Sequence, residues 1–230
     1  MNRGIVTATF FAIIGFAILV SLGIWQLERK TWKENLIATL NTRIAAPPHA
    51  LPLSPNQAAD EFSRVQLRGT FIPNQSALVF TSGSALRPDI ATPGYWVLSP
   101  LRTNDGRIVV VNRGYVADKD APPPPSGEAD LVGALRWPDE GGMFTPADDP
   151  QHNLWYSRDP VAIAAAKGWG QVAPFFVEQE TPQFTNAPRA GPLVVHLRDA
   201  HLQYAITWFG LAAGLAGVYL AWLRGRLRRA

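Results

Sequence analysis

Two stretches of the chain carry no charged side chain at all, Gly4 to Leu27 and Leu202 to Leu223. Each is long enough to cross about 30 Å of hydrocarbon at 1.5 Å per helical residue. The pattern therefore predicts transmembrane helices over residues 5–27 and 202–223, with short flanks at 1–4 and 224–230. The first run is longer than a signal-peptide core. Its small-x-small pair, Ser21-x-Gly23, lies inside the apolar run, so an uncleaved anchor is expected. Leu22, Trp25, Arg29, Trp32 and Leu36 recur at three- and four-residue steps, which carries the first helix on to about Thr39.

Between the two runs the pattern changes period. Val65 and Leu67 alternate with Arg64, Gln66 and Arg68, as in a half-buried strand. Further strands are predicted at Ala77–Thr81, Tyr95–Ser99, Arg107–Asn112, Ala129–Leu135, Trp155–Arg158 and Phe175–Glu180, beside Arg64–Gly69. Asn104-Asp105-Gly106 marks a hairpin turn. The unbroken Val109-Val110-Val111 marks a central strand covered on both faces. All 20 prolines fall between Pro47 and Pro192, a density that disfavours long helices. Pro160, Val161–Lys167 and Gly168 read as one short helix with its start and stop signals. The run Pro122–Pro125 is a stiff extended surface segment. The expected fold is thus two transmembrane helices flanking a mostly-β (α+β) extracytoplasmic domain, residues 28–201, a barrel being one form it can take.

Charge sets the sidedness. Residues 28–201 hold 16 basic and all 18 acidic side chains, whereas the two ends hold five basic and no acidic ones. Short basic flanks such as Arg224-Gly225-Arg226-Leu227-Arg228-Arg229 stay cytoplasmic, and long translocated domains are exempt from that bias. Both termini are expected in the cytoplasm and the domain outside it. The basic pI belongs to the membrane flanks, so nucleic-acid binding has no support.

Candidate chemistry is sparse. Without cysteine there is no disulfide, thiol nucleophile or thiolate metal site. No nucleotide-binding, zinc-protease or serine-hydrolase motif occurs, and no catalytic residue is assigned. Asp148-Asp149-Pro150-Gln151-His152, with Asp159, matches no metal spacing and reads as a solvated acidic loop. His49 and His196 read as a surface and a strand-end residue. In Asn112-Arg113-Gly114-Tyr115, a fold-determining block, Gly114 permits a bend and Arg113 is expected to pair with an acid.

His201 differs by position, at the outer mouth of the second span. At 100° per residue Tyr204, Trp208, Leu215 and Tyr219 lie near its direction, and Gly210, Gly214, Gly217 and Ala221 lie opposite. The simplest arrangement packs the glycine stripe on the first span and leaves the histidine–aromatic stripe open. Two readings follow. His201 is either a hydrogen-bonded residue within an interfacial aromatic belt, or an axial nitrogen for haem iron with Tyr204 and Trp208 covering the ring.

Leu22-Gly23-x-Trp25-Gln26-Leu27-x-Arg29-x-x-Trp32-Lys33-x-x-Leu36-Ile37 and His201-Leu202-x-Tyr204-Ala205-x-Thr207-Trp208-Phe209-x-Leu211-Ala212 resemble the two end motifs of the surfeit locus protein 1 family. Gly94-Tyr95, Ser99-Pro100-Leu101, Val111-Asn112-Arg113-Gly114-Tyr115-Val116 and Trp155-Tyr156-x-Arg158-Asp159 resemble its internal blocks, in the same order. Where the family usually has asparagines before the histidine this chain has Arg198-Asp199-Ala200, and Asp199 can serve in part as a helix cap. The resemblance implies a non-enzymatic assembly factor of a bacterial inner membrane, serving the haem–copper cytochrome c oxidase. It would bind haem a transiently through His201 and assist insertion into oxidase subunit I, with a haem a synthase as a further partner. Arg198, Arg29 and Lys30 are the candidates to pair with propionates. A haem-independent scaffold for nascent subunit I is the alternative.

Overall fold

The computed structural model describes residues 3–138, 142, 145–195 and 200–228. In chain order the elements are α1 (Arg3–Ala45), β1 (His49–Ala50), α2 (Gln57–Asp60), β2 (Arg64–Phe71), β3 (Ala77–Thr81), β4 (Gly94–Thr103) and β5 (Ile108–Val116). They continue with β6 (Glu128–Arg136), β7 (Leu154–Trp155), α3 (Pro160–Lys167), β8 (Phe176–Gln179) and α4 (His201–Leu227). Two units emerge: residues 1–38 with 197–230, and residues 39–196.

The second unit is built on a closed barrel. β2 pairs with β6, β6 with β8, β8 with β5, β5 with β4, and β4 returns to β2 through Gly69↔Thr103, Thr70↔Arg102 and Phe71↔Leu101. At that return the backbones nearly touch. A Cβ on Gly69 would lie 2.2 Å from the Arg102 carbonyl oxygen, so closure needs a residue without one. Every strand predicted from the pattern has a counterpart, several longer than expected, while the expected Trp155–Arg158 meets β7 only at Trp155.

Two apolar layers result from the alternation of side chains. Inside the barrel lie Val65, Leu67, Phe71, Leu101, Val109, Val111, Leu131, Leu135 and Val177. Outside it Trp96, Leu98, Val110 and Phe176 pack with Trp155, Ile163 and Trp169, the layer that α3 covers. β5 serves both layers, which is why its valine run shows no polar face. Each such side chain contributes about 1.5–3 kcal/mol when fully buried. The hairpin turn occurs as read, with Gly106 at φ +89° and its N–H on the Thr103 carbonyl, and Gly168 closes α3 at φ +68°.

In the first unit α1 and α4 run antiparallel. Thr9 Oγ1 meets the Tyr219 hydroxyl at 2.5 Å, and Gln26 Oε1 meets His201 Nδ1 at 2.8 Å. Ile5, Ala8, Ala12, Gly15, Leu19, Leu22 and Gln26 are half-buried at alternating steps of three and four. His201, Ala205, Trp208, Ala212, Leu215 and Tyr219 form the answering row, with Ala205 and Ala212 fully buried. This is the seam spacing of paired helices.

The seam reverses the expected packing. A Cβ added to Gly210, Gly214 or Gly217 meets nothing within 4 Å, whereas one on Gly23 would sit 2.6 Å from the Phe209 ring. The glycine stripe of α4 is therefore open, and most of the histidine–aromatic stripe faces α1. Close approach needs small residues on only one partner, and α1 supplies them at Ala8, Ala12, Gly15 and Gly23. The Tyr219 and His201 polar atoms, costly to leave unpaired in lipid, gain partners by turning inward. Phe10, Phe11, Ile13, Ile206 and Val218 remain exposed. Both helices are long and apolar enough to cross a membrane, and almost none of their apolar windows is buried, unlike the core helix of a soluble domain.

Candidate functional site

His201 opens α4. Ala200 occupies the cap position without a side-chain bond to the helix. Arg198, Asp199 and His196 lie outside the described residues, so the expected cap by Asp199 and the expected role of Arg198 are not located. The Gln26 carbonyl oxygen can only accept, so its contact with His201 puts the ring proton on Nδ1. In that tautomer the lone pair resides on Nε2, the state in which imidazole ligates a metal. Sequence reasoning missed Gln26. Its signal was an amide inside an otherwise uncharged span, one helix face with Leu19 and Leu22.

The remaining predicted residues divide. Tyr204, three residues after His201, is 56% exposed and leaves its ring available beside the histidine. Trp208 is half-buried, and its indole N–H is enclosed without a hydrogen-bond partner among the described residues. The pair therefore do not form one open aromatic face as expected. Arg29 stacks on Trp32 with its guanidinium carbon 4.1 Å from the ring centroid, and Lys30 donates to Glu34 Oε1 at 2.5 Å.

The internal blocks are occupied by structure. Asn112 Nδ2 donates to Glu178 Oε1, and the Asn112 side-chain oxygen accepts from the Gly114 N–H. Arg158 Nη1 reaches Glu178 Oε2 at 3.2 Å, so one carboxylate, 3% exposed, is shared by β5 and the segment before α3. Gly114 holds φ +122° within β5, with the Arg189–Ala190 backbone where a side chain would stand. The Tyr115 hydroxyl bonds the loop at Thr92 and Pro93.

Arg113 corrects an expectation. It has no carboxylate partner among the described residues; Nη1 and Nη2 donate to the carbonyls of Pro122 and Pro123. Prolines have no N–H, and the extended run presents these carbonyls to the buried guanidinium. Burial pushes Arg113 down to about 10.

The acidic loop is likewise structural. Asp149 Oδ1 accepts from the His152 N–H, its Oδ2 lies 2.7 Å from His152 Nδ1, and the histidine contact holds its carboxyl below the usual range. Asp148 accepts from the Tyr156 N–H, and Asp159 caps α3 through Val161 and Ala162.

Known proteins share this arrangement of sequence. The SURF1 family profile matches residues 13–213. Surfeit locus protein 1 of Rattus norvegicus is 34% identical over 231 residues, 93% of this chain and 74% of the relative. The SURF1-like protein of Monosiga brevicollis is 33% identical, covering 89% of this chain and 83% of the relative. That of Rickettsia conorii is 26% identical over 94% of this chain and 90% of its own length. The matched span takes in most of α1, the first half of α4, the His201–Gln26 contact and the whole barrel, and the chain belongs to the SURF1 family, in general assembly factors of cytochrome c oxidase.

Proposed function

We propose that the chain takes up haem a transiently at the outer mouth of the α1–α4 pair and assists its insertion into oxidase subunit I. The observation that carries this reading is the Gln26–His201 bond, which assigns the proton to Nδ1 and the coordinating lone pair to Nε2. Tyr204 offers an exposed aromatic ring and Leu202 an exposed apolar side chain in the same turn of helix. A long-tailed haem partitions into lipid while its propionates favour the charged interface, where Arg29 and Lys30 stand; Arg198 follows from sequence position alone. A donor at that level can hold the iron and release the cargo sideways within the bilayer. The barrel domain belongs outside the cytoplasm of a bacterial inner membrane and both ends inside, on the charge pattern of the flanks. Oxidase subunit I is the receiving partner, a haem a synthase the supplying one.

The second reading is a haem-independent scaffold for nascent subunit I, with Gln26–His201 acting only to clasp the helices. The half-burial of His201 favours it. Purified full-length protein supplied with haem a separates the two. The first reading expects a Soret band that His201→Ala abolishes and Gln26→Ala weakens on the order of 10–100-fold in affinity. A wild-type protein that gives no band leaves the scaffold.

A further inference from the structure

A cavity of about 360 Å³ opens on the barrel unit between the end of α3 and the proline run, with Asn74, Ser76, Lys119, Pro123, Asn153 and Lys167 in its lining. No aspartate or glutamate among the described residues lines it. Lys167 is half-buried in the last turn of α3, and its Nζ donates to the neutral Asn153 Oδ1 at 2.8 Å. That oxygen also receives the Trp155 indole N–H at 3.4 Å. Burial lowers the lysine below its ordinary value. The carbonyl of Pro123, in the cavity lining, accepts from Arg113, which is 3% exposed and is not itself in the lining. Neither lysine nor Arg113 has a carboxylate within 4 Å among the described residues. Asp118 and Asp120, beside Lys119 in sequence, are exposed and outside the lining.

Folded domains ordinarily pair the cations they desolvate. Here the half-buried Lys167 has only a neutral amide as partner among the described residues, and it shares the cavity with the exposed Lys119; the remaining polar lining consists of amides and a hydroxyl. We infer that this cavity is a binding site for a phosphoryl group, held between Lys119 and Lys167 with Asn74 and Ser76 as further donors. A phosphate monoester carries close to two charges at neutral pH, which matches two lysines. Lysine binds phosphate as a point charge, whereas planar carboxylates favour the arginine fork, and no arginine among the described residues lines this cavity. The site is independent of the haem reading.

The test uses the full chain in a maltoside detergent, titrated calorimetrically with inorganic phosphate, with pyrophosphate, and with a short-chain soluble phosphatidic acid. Saturable binding is expected, weakened on the order of tenfold or more by Lys119→Gln and by Lys167→Met, and retained within a few-fold by Lys167→Arg. Preference for inorganic phosphate or pyrophosphate identifies a soluble phosphate compound as the source, and preference for phosphatidic acid a lipid headgroup. Lys119 is exposed, so its variant keeps the fold and tests the site if Lys167→Met does not. Absence of binding by all three probes overturns the inference, as does a Lys119→Gln protein that binds like wild type. The haem spectrum of the same variants is expected unchanged, so the two proposals fail separately.

Discussion

The barrel and the helix pair solve opposite problems. In the barrel polar groups lie deep and are answered from within: Glu178 by Asn112 and Arg158, Arg113 by two proline carbonyls. In the helix pair apolar groups lie exposed, and the few polar ones, Thr9 with Tyr219 and Gln26 with His201, point into the seam. Water drives the first arrangement by expelling hydrocarbon. Lipid gives no such drive, so close packing and buried polar contacts must hold the second. The same residue type therefore carries different weight in each unit.

The largest effect is expected where the barrel hides a charge. Glu178→Ala leaves Arg158 and Asn112 facing a vacated site and should cost about 3–5 kcal/mol, read as a fall in the unfolding midpoint of the full chain followed by tryptophan fluorescence. A loss under 1 kcal/mol would place this network in solvent rather than core. Next comes closure. Gly69→Ala drives a methyl against a carbonyl oxygen and should cost roughly 1–3 kcal/mol in the same measurement, with the helices unaffected by far-ultraviolet dichroism.

The helix pair is tested by geometry. The chain has no cysteine, so Thr9→Cys with Tyr219→Cys should be joined in membranes to one intramolecular product by a short thiol-specific cross-linker that replaces the span of the tyrosine ring, and Thr9→Cys with Gly217→Cys should be joined far less. Gly23→Leu should suppress that cross-link and Gly210→Leu leave it intact. The reverse result would restore the glycine stripe as the seam.

The smallest effect is electrostatic. Arg107, and then Thr103, hold the Asp105 carboxyl below the usual carboxylate range. A depressed carboxylate adds stability above its unfolded value, about 3.9, and loses it as pH falls through the folded one. Because Asp105 is 42% exposed, screening limits this to less than about 1 kcal/mol. Asp105→Asn should lower stability by up to that amount at every pH above about 4, pH 7 to 8 included, and so flatten the acid limb of the stability curve.

Much of this was legible in one dimension. Uncharged runs mark the spans, since charge and hydrocarbon exclude one another. The valine run of β5 marks a strand with two covered faces. Asp159, Pro160 and Gly168 bracket α3 because capping is local. Angular position on α4 separates its glycine stripe from His201, Trp208, Leu215 and Tyr219, with Tyr204 falling outside the second group. It could not tell which face meets α1, because that depends on small residues two hundred positions away. Gln26 went unread for the same reason, an amide whose meaning is set by a histidine far along the chain. Arg113 was assigned an acid by habit of charge, yet the proline run brought carbonyls nearer.

The sequence by itself determined where the chain meets lipid, how the strands alternate and which residues end the helices, all consequences of near neighbours and of solvent. Tertiary structure alone decided that β2 would close on β4 at Gly69, that the bulky face of α4 would turn inward, and that Lys119 and Lys167 would share one cavity. Those outcomes depend on which distant atoms arrive at the same place, and contact energies between them have no signature in local order.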